Sequence, residues 1–328
     1  MSTRRRSTAD VPGLVEKARA GDARSVARLI SLVEDASPLL REVMAGLGKA
    51  AAERTDGGAH IVGITGSPGV GKSTSTNALV GALRKQGKRV GVLAVDPSSP
   101  FSGGALLGDR IRMQDHALDP EVYIRSMASR GHLGGLSWAA PQALRVLDAA
   151  GCDVILVETV GVGQSEVEIA SMADTTLVLL APGMGDGIQA AKAGILEIGD
   201  VYVINKADRD GADQVRRELR SMLSLAERPE GAWKPEIVKT VAMTGEGVDD
   251  VIAALDAHLA HLRSSGQLEA RRLRRAREEI EAIAVTSLRE RWGDVHARTE
   301  LDDLAEQVVA GRTDPYAAAD ELLAGIGD

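Results

Sequence analysis

The sequence predicts an α/β fold, a mainly parallel central sheet flanked by helices, with helical extensions at its N-terminal and C-terminal ends. Three observations predict it. Apolar runs alternate with helical stretches over residues 57–262. Several of those runs are continuously apolar, the pattern of strands covered on both faces. A glycine-rich loop separates the first run from the first helix after it, and the flanking segments carry helical periodicity alone.

The elements follow in order. Residues 1–56 read as an N-terminal helical extension, with apolar positions at Leu14 and Ala18, then Val26, Leu29, Ile30 and Val33, then Leu39, Leu40, Val43 and Leu47. Asp22 is placed to cap the second helix and Pro38 to start the third. Thr55-Asp56-Gly57-Gly58 is a loop signal. Strands are expected at Ile61–Thr65, Val90–Val95, Val122–Ser126, Val154–Glu158, Thr176–Ala181, Val201–Ile204 and Ile237–Val241. Residues 263–328 read as a charged, helical C-terminal arm. Its stretch from Glu269 to Glu281 sets Arg271, Arg272, Arg274, Arg275 and Arg277 against Glu269, Glu278, Glu279 and Glu281, which suits a solvated or subunit-bridging helix.

Gly66-Ser67-Pro68-Gly69-Val70-Gly71-Lys72-Ser73 fits the phosphate-binding pattern G-x-x-x-x-G-K-[ST], with a strand before it and a helix, Thr74 onward, after it. The predicted fold is therefore that of a P-loop NTPase. Glycine lets backbone N–H groups wrap a phosphate, and the helix N-terminus adds partial positive charge. Lys72 can reach the β- and γ-phosphates, and Ser73 offers its hydroxyl to Mg²⁺. Asn205-Lys206-Ala207-Asp208 has the form N-K-x-D at the end of a later strand. Guanine presents N1–H and a 2-amino group side by side, a pair that the Asp208 carboxylate can accept and adenine cannot offer. Asn205 would tie neighbouring loops together, and the Lys206 stem would lie along the base. The two motifs together select GTP and GDP over adenine nucleotides.

Further candidates stand at strand ends. Asp96, in Asp96-Pro97-Ser98-Ser99-Pro100, is placed to hold Mg²⁺ through water or to orient the attacking water. Asp109 ends a flexible glycine-rich segment that looks like a first switch. Glu158-Thr159-Val160-Gly161 stands where GTPases usually carry D-x-x-G, so Glu158 is expected at the metal and the Gly161 N–H at the γ-phosphate. Val162 follows, where Ras-type enzymes use a glutamine to orient water, and slow intrinsic hydrolysis is the expectation. Ala242 or Met243 is expected to offer a backbone N–H to guanine O6.

Composition narrows the class. A hydrophobic content of 44% is ample for a core, and three Trp, three Tyr and one Phe make that core aliphatic. A formal net charge of −8 argues against a general nucleic-acid binder. Cys152 is the single cysteine, which suits a reducing, cytoplasmic setting. No apolar run approaches a membrane span, and no apolar stretch follows the basic residues 1–6 as it would in a secretory signal. The six histidines are scattered and supply no metal cluster.

The combination of GSPGVGKST, AVDPSSP, GDRIRM, ETVGVGQSE, PGMGDGIQAAKAGILEI and NKAD closely resembles the MeaB family, to which the methylmalonic aciduria type A proteins belong. The resemblance spans nearly the whole chain and is strongest from Ile61 to Asp208. It implies a G-protein chaperone that gates adenosylcobalamin loading and protects methylmalonyl-CoA mutase. It also implies a homodimer formed through the C-terminal arm, and a third switch over the loop from Met184 to Lys192. Relatives labelled as kinases or ATPases of a lysine/arginine/ornithine transport system suggest an alternative, against which the guanine-reading N-K-A-D speaks.

Overall fold

Burial that changes face at every residue, not the apolar content alone, explains the sheet. In the computed structural model, which describes residues 9–97, 114–116, 118–129, 139–159, 165–183, 197–225, 229–292 and 299–324, every strand of one sheet runs parallel to its neighbours. The strands are β1 (His60–Thr65), β2 (Val90–Pro97), β3 (Val122–Ser129), β4 (Val154–Thr159), β5 (Thr175–Leu180), β6 (Val201–Ile204) and β7 (Glu236–Lys239). Their spatial order is β3-β2-β4-β1-β5-β6-β7. Alternate residues face opposite ways along a strand. Val154 and Leu156 thus enter one apolar cluster while Ile155 and Val157 enter another.

Helices cover both faces. On one side lie α4 (Lys72–Lys85) and, later in the chain, a helix over Val248–Ser264. The other side is covered by α1 (Val11–Arg19), α2 (Ala23–Glu34), α3 (Leu40–Ala52), α5 (Ala140–Ala149) and α6 (Ser165–Met172). The remaining helices are α7 (Ala212–Leu225), α8 (the Val248–Ser264 helix), α9 (Gln267–Trp292), α10 (Thr299–Val309) and α11 (Pro315–Ala324). The chain divides into two compact units, Met1–Arg271 and Arg272–Asp328, so the boundary falls inside α9. Within the second unit α10 packs on α11, and the Asp314 carboxylate caps α11 by accepting from the N–H groups of Tyr316 and Ala317 at 2.9 and 3.1 Å.

All seven expected strands are present, with shifts of a residue or two at their ends and a longer β3. The expected β7 differs most. Thr240 donates its N–H to Ile204 O at 2.9 Å, but Val241 leaves the sheet to bridge Glu246 in a local turn. Asp22 caps α2 as expected, accepting from the Ser25 N–H at 2.8 Å. Pro38 does not open α3; it precedes the capping residue Leu39 in a turn.

The first three helices share their apolar cluster with the sheet. Polar clasps fix them there. Arg54 reaches the Asp148 carboxylate at 2.8 Å and also its carbonyl. Arg125 of β3 pairs with Glu34, and the Tyr123 hydroxyl donates to Gly21 O at 3.1 Å.

A second polar cluster occupies the N-terminal ends of the strands. His60 and His258 approach the Thr175 hydroxyl from either side at 2.7 and 2.8 Å. Asp200 accepts from the Thr176 N–H at 2.9 Å and from both terminal nitrogens of Arg271 at 2.9 Å, with His258 Nε2 3.3 Å away. Burial raises the Asp200 carboxyl, but its contacts with His258 and Arg271 outweigh that and hold it at about 2. Arg271 therefore departs from the solvated helix expected around it: it ties the start of α9 to the sheet.

The sign of the pH dependence follows. Asp200 is depressed below its ordinary 3.8, so the stability it contributes is complete above about pH 4 and is lost as pH falls towards 2. Asp200→Ala should cost about 1–3 kcal/mol at neutral pH, because the Thr176 N–H and the half-buried Arg271 guanidinium lose their carboxylate acceptor. Urea unfolding at pH 7 and pH 3 checks this: the difference between wild type and variant should shrink at the lower pH.

Candidate nucleotide site

The C-terminal edge of the parallel sheet is where the loops meet. β1 ends at Thr65 and the chain turns through Gly66 at φ +144°. A Cβ there would stand 2.3 Å from Leu179 O of β5, so only glycine lets the loop leave the strand at this point. Gly71 caps α4 in the left-handed region at φ +95°, and a Cβ on it would stand 2.6 Å from Asn205 Nδ2. Ser67, Pro68, Gly69 and Val70 complete the loop; Pro68 and Gly69 are exposed and Val70 is buried.

Helix α4 starts two residues earlier than the sequence suggested, at Lys72, so Lys72, Ser73 and Thr74 form its first turn. The first N–H groups of a helix have no intrahelical partner and point along the axis, towards whatever the loop holds. The Lys72 ammonium is folded back over the loop: it donates to Gly66 O and lies 3.4 Å from Ser67 O.

Under this loop lies Glu158, only 1% exposed. It sits on β4 between Ile64 of β1 and Ala94 of β2, on the face covered by α4. Ser73 Oγ donates to its Oε1 at 2.5 Å, and Thr76 Oγ1 donates to its Oε2 at 2.5 Å. A buried carboxylate needs such partners, since leaving it unsatisfied would cost several kcal/mol.

The N-K-A-D segment reaches the same loop from β6. Asn205 is 3% exposed and joins three segments. Its Nδ2 donates to Val70 O at 2.8 Å. Its Oδ1 accepts from the Ala242 N–H at 3.0 Å and from Thr240 Oγ1 at 3.2 Å. Lys206 holds the left-handed backbone conformation, φ +57°, and its ammonium donates to Gly69 O at 2.7 Å. Asp208 is exposed just beyond, in a turn. Of the two backbone donors expected beside the base, Ala242 is held by Asn205, whereas Met243 is 88% exposed and its N–H is not engaged among the described residues.

The structure thus brings together the phosphate loop, Ser73, Glu158, Asn205, Lys206 and the 240–247 loop. Of Asp96 it describes the backbone, beside Ala128 at the end of β2. Asp109, Gly161, Val162 and the loop from Met184 to Lys192 lie outside the described residues. Sequence reasoning passed over Thr76 and Thr240. Thr76 had a signal: it lies three residues beyond Ser73, on the same face of the helix. Thr240 had none, because its role depends on Asn205.

A family model described as Methylmalonyl Co-A mutase-associated GTPase MeaB matches residues 26–296. The chain belongs to the MeaB family of GTPases. A Pyrococcus abyssi protein named as a GTPase is 47% identical over 312 residues, covering 94% of this chain and 95% of its own length. The mouse protein named methylmalonic aciduria type A homolog, mitochondrial, is 37% identical over 266 residues, covering 80% of this chain and 64% of that protein. A crystal structure named LAO/AO transport system kinase superposes with a TM-score of 0.74 at 26% identity, over 98% of this chain and 99% of that one. As in other P-loop folds, the MeaB-family site here lies between a phosphate loop and a later strand end.

The Asn205 junction is open to test. Asn205→Ala leaves the Ala242 N–H, the Val70 carbonyl and the Thr240 hydroxyl without their shared partner. It should cost about 1–3 kcal/mol in chemical denaturation and weaken GDP binding at least tenfold in isothermal titration.

Proposed function

We propose that this MeaB-family GTPase is a slow, Mg²⁺-dependent switch that gates adenosylcobalamin loading of a methylmalonyl-CoA mutase and protects that enzyme. The observation that carries the nucleotide part is Asn205, whose side chain joins the phosphate loop to the segment that reads the base.

On this reading the phosphate loop, Gly66 to Thr74, binds the β- and γ-phosphates through its N–H groups, and Lys72 turns from Gly66 O to the phosphate oxygens. The Asp208 carboxylate accepts from guanine N1–H and the 2-amino group. The Met243 N–H is the disengaged donor beside O6, with Ala242 holding Asn205 in place. Ser73 and Glu158 fit a hard divalent ion: a hydroxyl and a carboxylate, both buried, meet beneath the loop. Mg²⁺ there would neutralise charge on the phosphates, with Asp96 and Asp109 as its further carboxylates and Gly161 facing the γ-phosphate. Val162 cannot orient water, so basal hydrolysis is slow.

Support for the mutase role comes from the family description, which names a mutase-associated GTPase. The name of the mouse relative points the same way. The homodimer is proposed to form through the arm, residues 263–328. There Leu273, Ile280, Ile283 and Leu288 of α9 are exposed apolar residues among many charges. A cytoplasmic setting is proposed from the lone cysteine; among the described residues no helix is long and apolar enough to cross a membrane. A transport-system kinase using ATP would have no need of a guanine reader at Asp208.

Two experiments test this reading. Asp208→Asn should move preference from guanine to xanthine nucleotides, because xanthine carries a carbonyl where guanine has its 2-amino group. Losing a polar match of this kind changes discrimination by roughly 10⁴-fold. Competition binding with GDP and XDP measures it, and unchanged preference counts against the assignment. Single-turnover GTP hydrolysis should be slow alone and rise at least tenfold with purified mutase, about 1.4 kcal/mol of barrier per tenfold. A fast basal rate that a bound mutase leaves unchanged would remove the switch.

A further inference from the structure

Glu158 poses a geometric problem that Ser73 alone does not solve. It stands where GTPases usually carry the aspartate of D-x-x-G, and it is one methylene longer. The extra torsion gives the carboxylate more positions to occupy, and fixing a glutamate side chain costs rotamer entropy. A carboxylate tethered through one oxygen still swings about that contact. In this structure it is tethered through both, at 2.5 Å each.

The second tether is Thr76, which is fully buried on α4. Its hydroxyl has one proton and two acceptors in reach: Glu158 Oε2 at 2.5 Å and the carbonyl of Lys72 at 3.0 Å. The shorter contact matches the roughly 2.5–2.7 Å of an O–H donor on an ionised carboxylate, so the proton goes to Glu158. The Lys72 carbonyl lies one turn back along α4, the usual acceptor for a helical threonine hydroxyl. Ser73 and Thr76 therefore grip the two oxygens from consecutive turns of the same helix.

We propose that Thr76 is the positioning residue for Glu158: by holding Oε2 it turns Oε1 towards Ser73 and the Mg²⁺ site. The proposal rests on the reading above that Glu158 serves the metal. Thr76 has no exposed surface and its hydroxyl faces Glu158 and the Lys72 carbonyl, so it acts through the carboxylate it orients. Partners that orient a metal-binding group commonly contribute 10- to 100-fold in metal affinity.

The test titrates Mg²⁺ against the full chain loaded with GDP. It reads both the Mg²⁺-dependent rise in melting temperature and the release of a fluorescent GDP analogue. Thr76→Val, which keeps the shape and removes the hydroxyl, should raise the half-saturating Mg²⁺ about tenfold or more. Thr76→Ser, which keeps the hydroxyl and removes the methyl, should stay within about twofold of wild type. If circular dichroism shows that Thr76→Val does not fold, Thr76→Ala is held to the same criterion. A shift below about twofold on removing the hydroxyl, or an equal shift in Thr76→Ser, overturns the proposal. Glu158→Gln runs alongside. If it raises the Mg²⁺ requirement while Thr76→Val does not, only the role of Thr76 falls. If Glu158→Gln itself changes nothing, the metal reading of Glu158 falls, and Thr76 with it. In the double variant, Thr76→Val should add less than its single effect, because the group it orients has changed.

Discussion

A carboxylate buried in the middle of a parallel sheet is the constraint on which this site depends. Glu158 cannot be left without donors, and the donors lie on the first two turns of α4. Satisfying it therefore fixes the depth and rotation of α4 against β4. That in turn fixes the direction of the helix N-terminus and of the loop before it. The aliphatic packing of Leu79, Val80 and Leu83 under the same helix supplies most of the burial. Apolar contact is not directional, however, and would tolerate a small slide along the sheet. Two short hydrogen bonds to one rigid strand end do not.

The two edges of the sheet are built on the same rule for different ends. At the C-terminal edge, hydroxyls and Asn205 bind loops that must receive a ligand. At the N-terminal edge, Asp200, His258, Thr175 and Arg271 bind the start of α9 to strands β5 and β6. Trp233 adds to this cluster, with its indole N–H on Asp200 O at 2.7 Å and its ring 4.9 Å from that of His258. Because β5 and β6 run between both clusters, the segment from Asn205 to Asp208 and the root of α9 share a rigid support. Asn205 follows β6 directly and Asp200 directly precedes it.

Much of this was legible in the sequence, and the reason differs by element. The strands could be read because each is an apolar run bounded by turn residues, a local property. Asp22 could be read as a cap because its partner is three residues away. The phosphate loop and N-K-A-D could be singled out because each is a run of neighbouring residues, and the structure brings them together. What escaped is what depends on pairs distant in sequence. Thr76 and Glu158 are 82 residues apart, Thr240 and Asn205 are 35 apart, and Arg271 and Asp200 are 71 apart. Arg271 was misread for a physical reason: in a helix dense with both charge signs, periodicity cannot tell an arginine bound to a buried aspartate from one bound to water. The arm itself carries too few apolar residues for the sequence to say how its helices pack.

The phosphate end and the base end of the site are made of different material, and this bears on how each can change. Lys72, Ser73, Thr76 and Glu158 are all buried; Ser73 and Thr76 hydrogen-bond the sheet through Glu158 and Lys72 holds the loop, so a substitution there disturbs the fold. Asp208 and Met243 are exposed, and neither side chain supports a neighbour in the described structure. Between the two ends stand Asn205, buried, and Lys206, whose ammonium crosses to Gly69 O. On the proposed reading, affinity for the phosphates is thus tied to stability, whereas the choice of base rests on groups that can be altered with little cost to the fold. A base exchanged at Asp208 would, on the same reading, still be held by the same phosphate loop, which Asn205 keeps fastened to the end of β6.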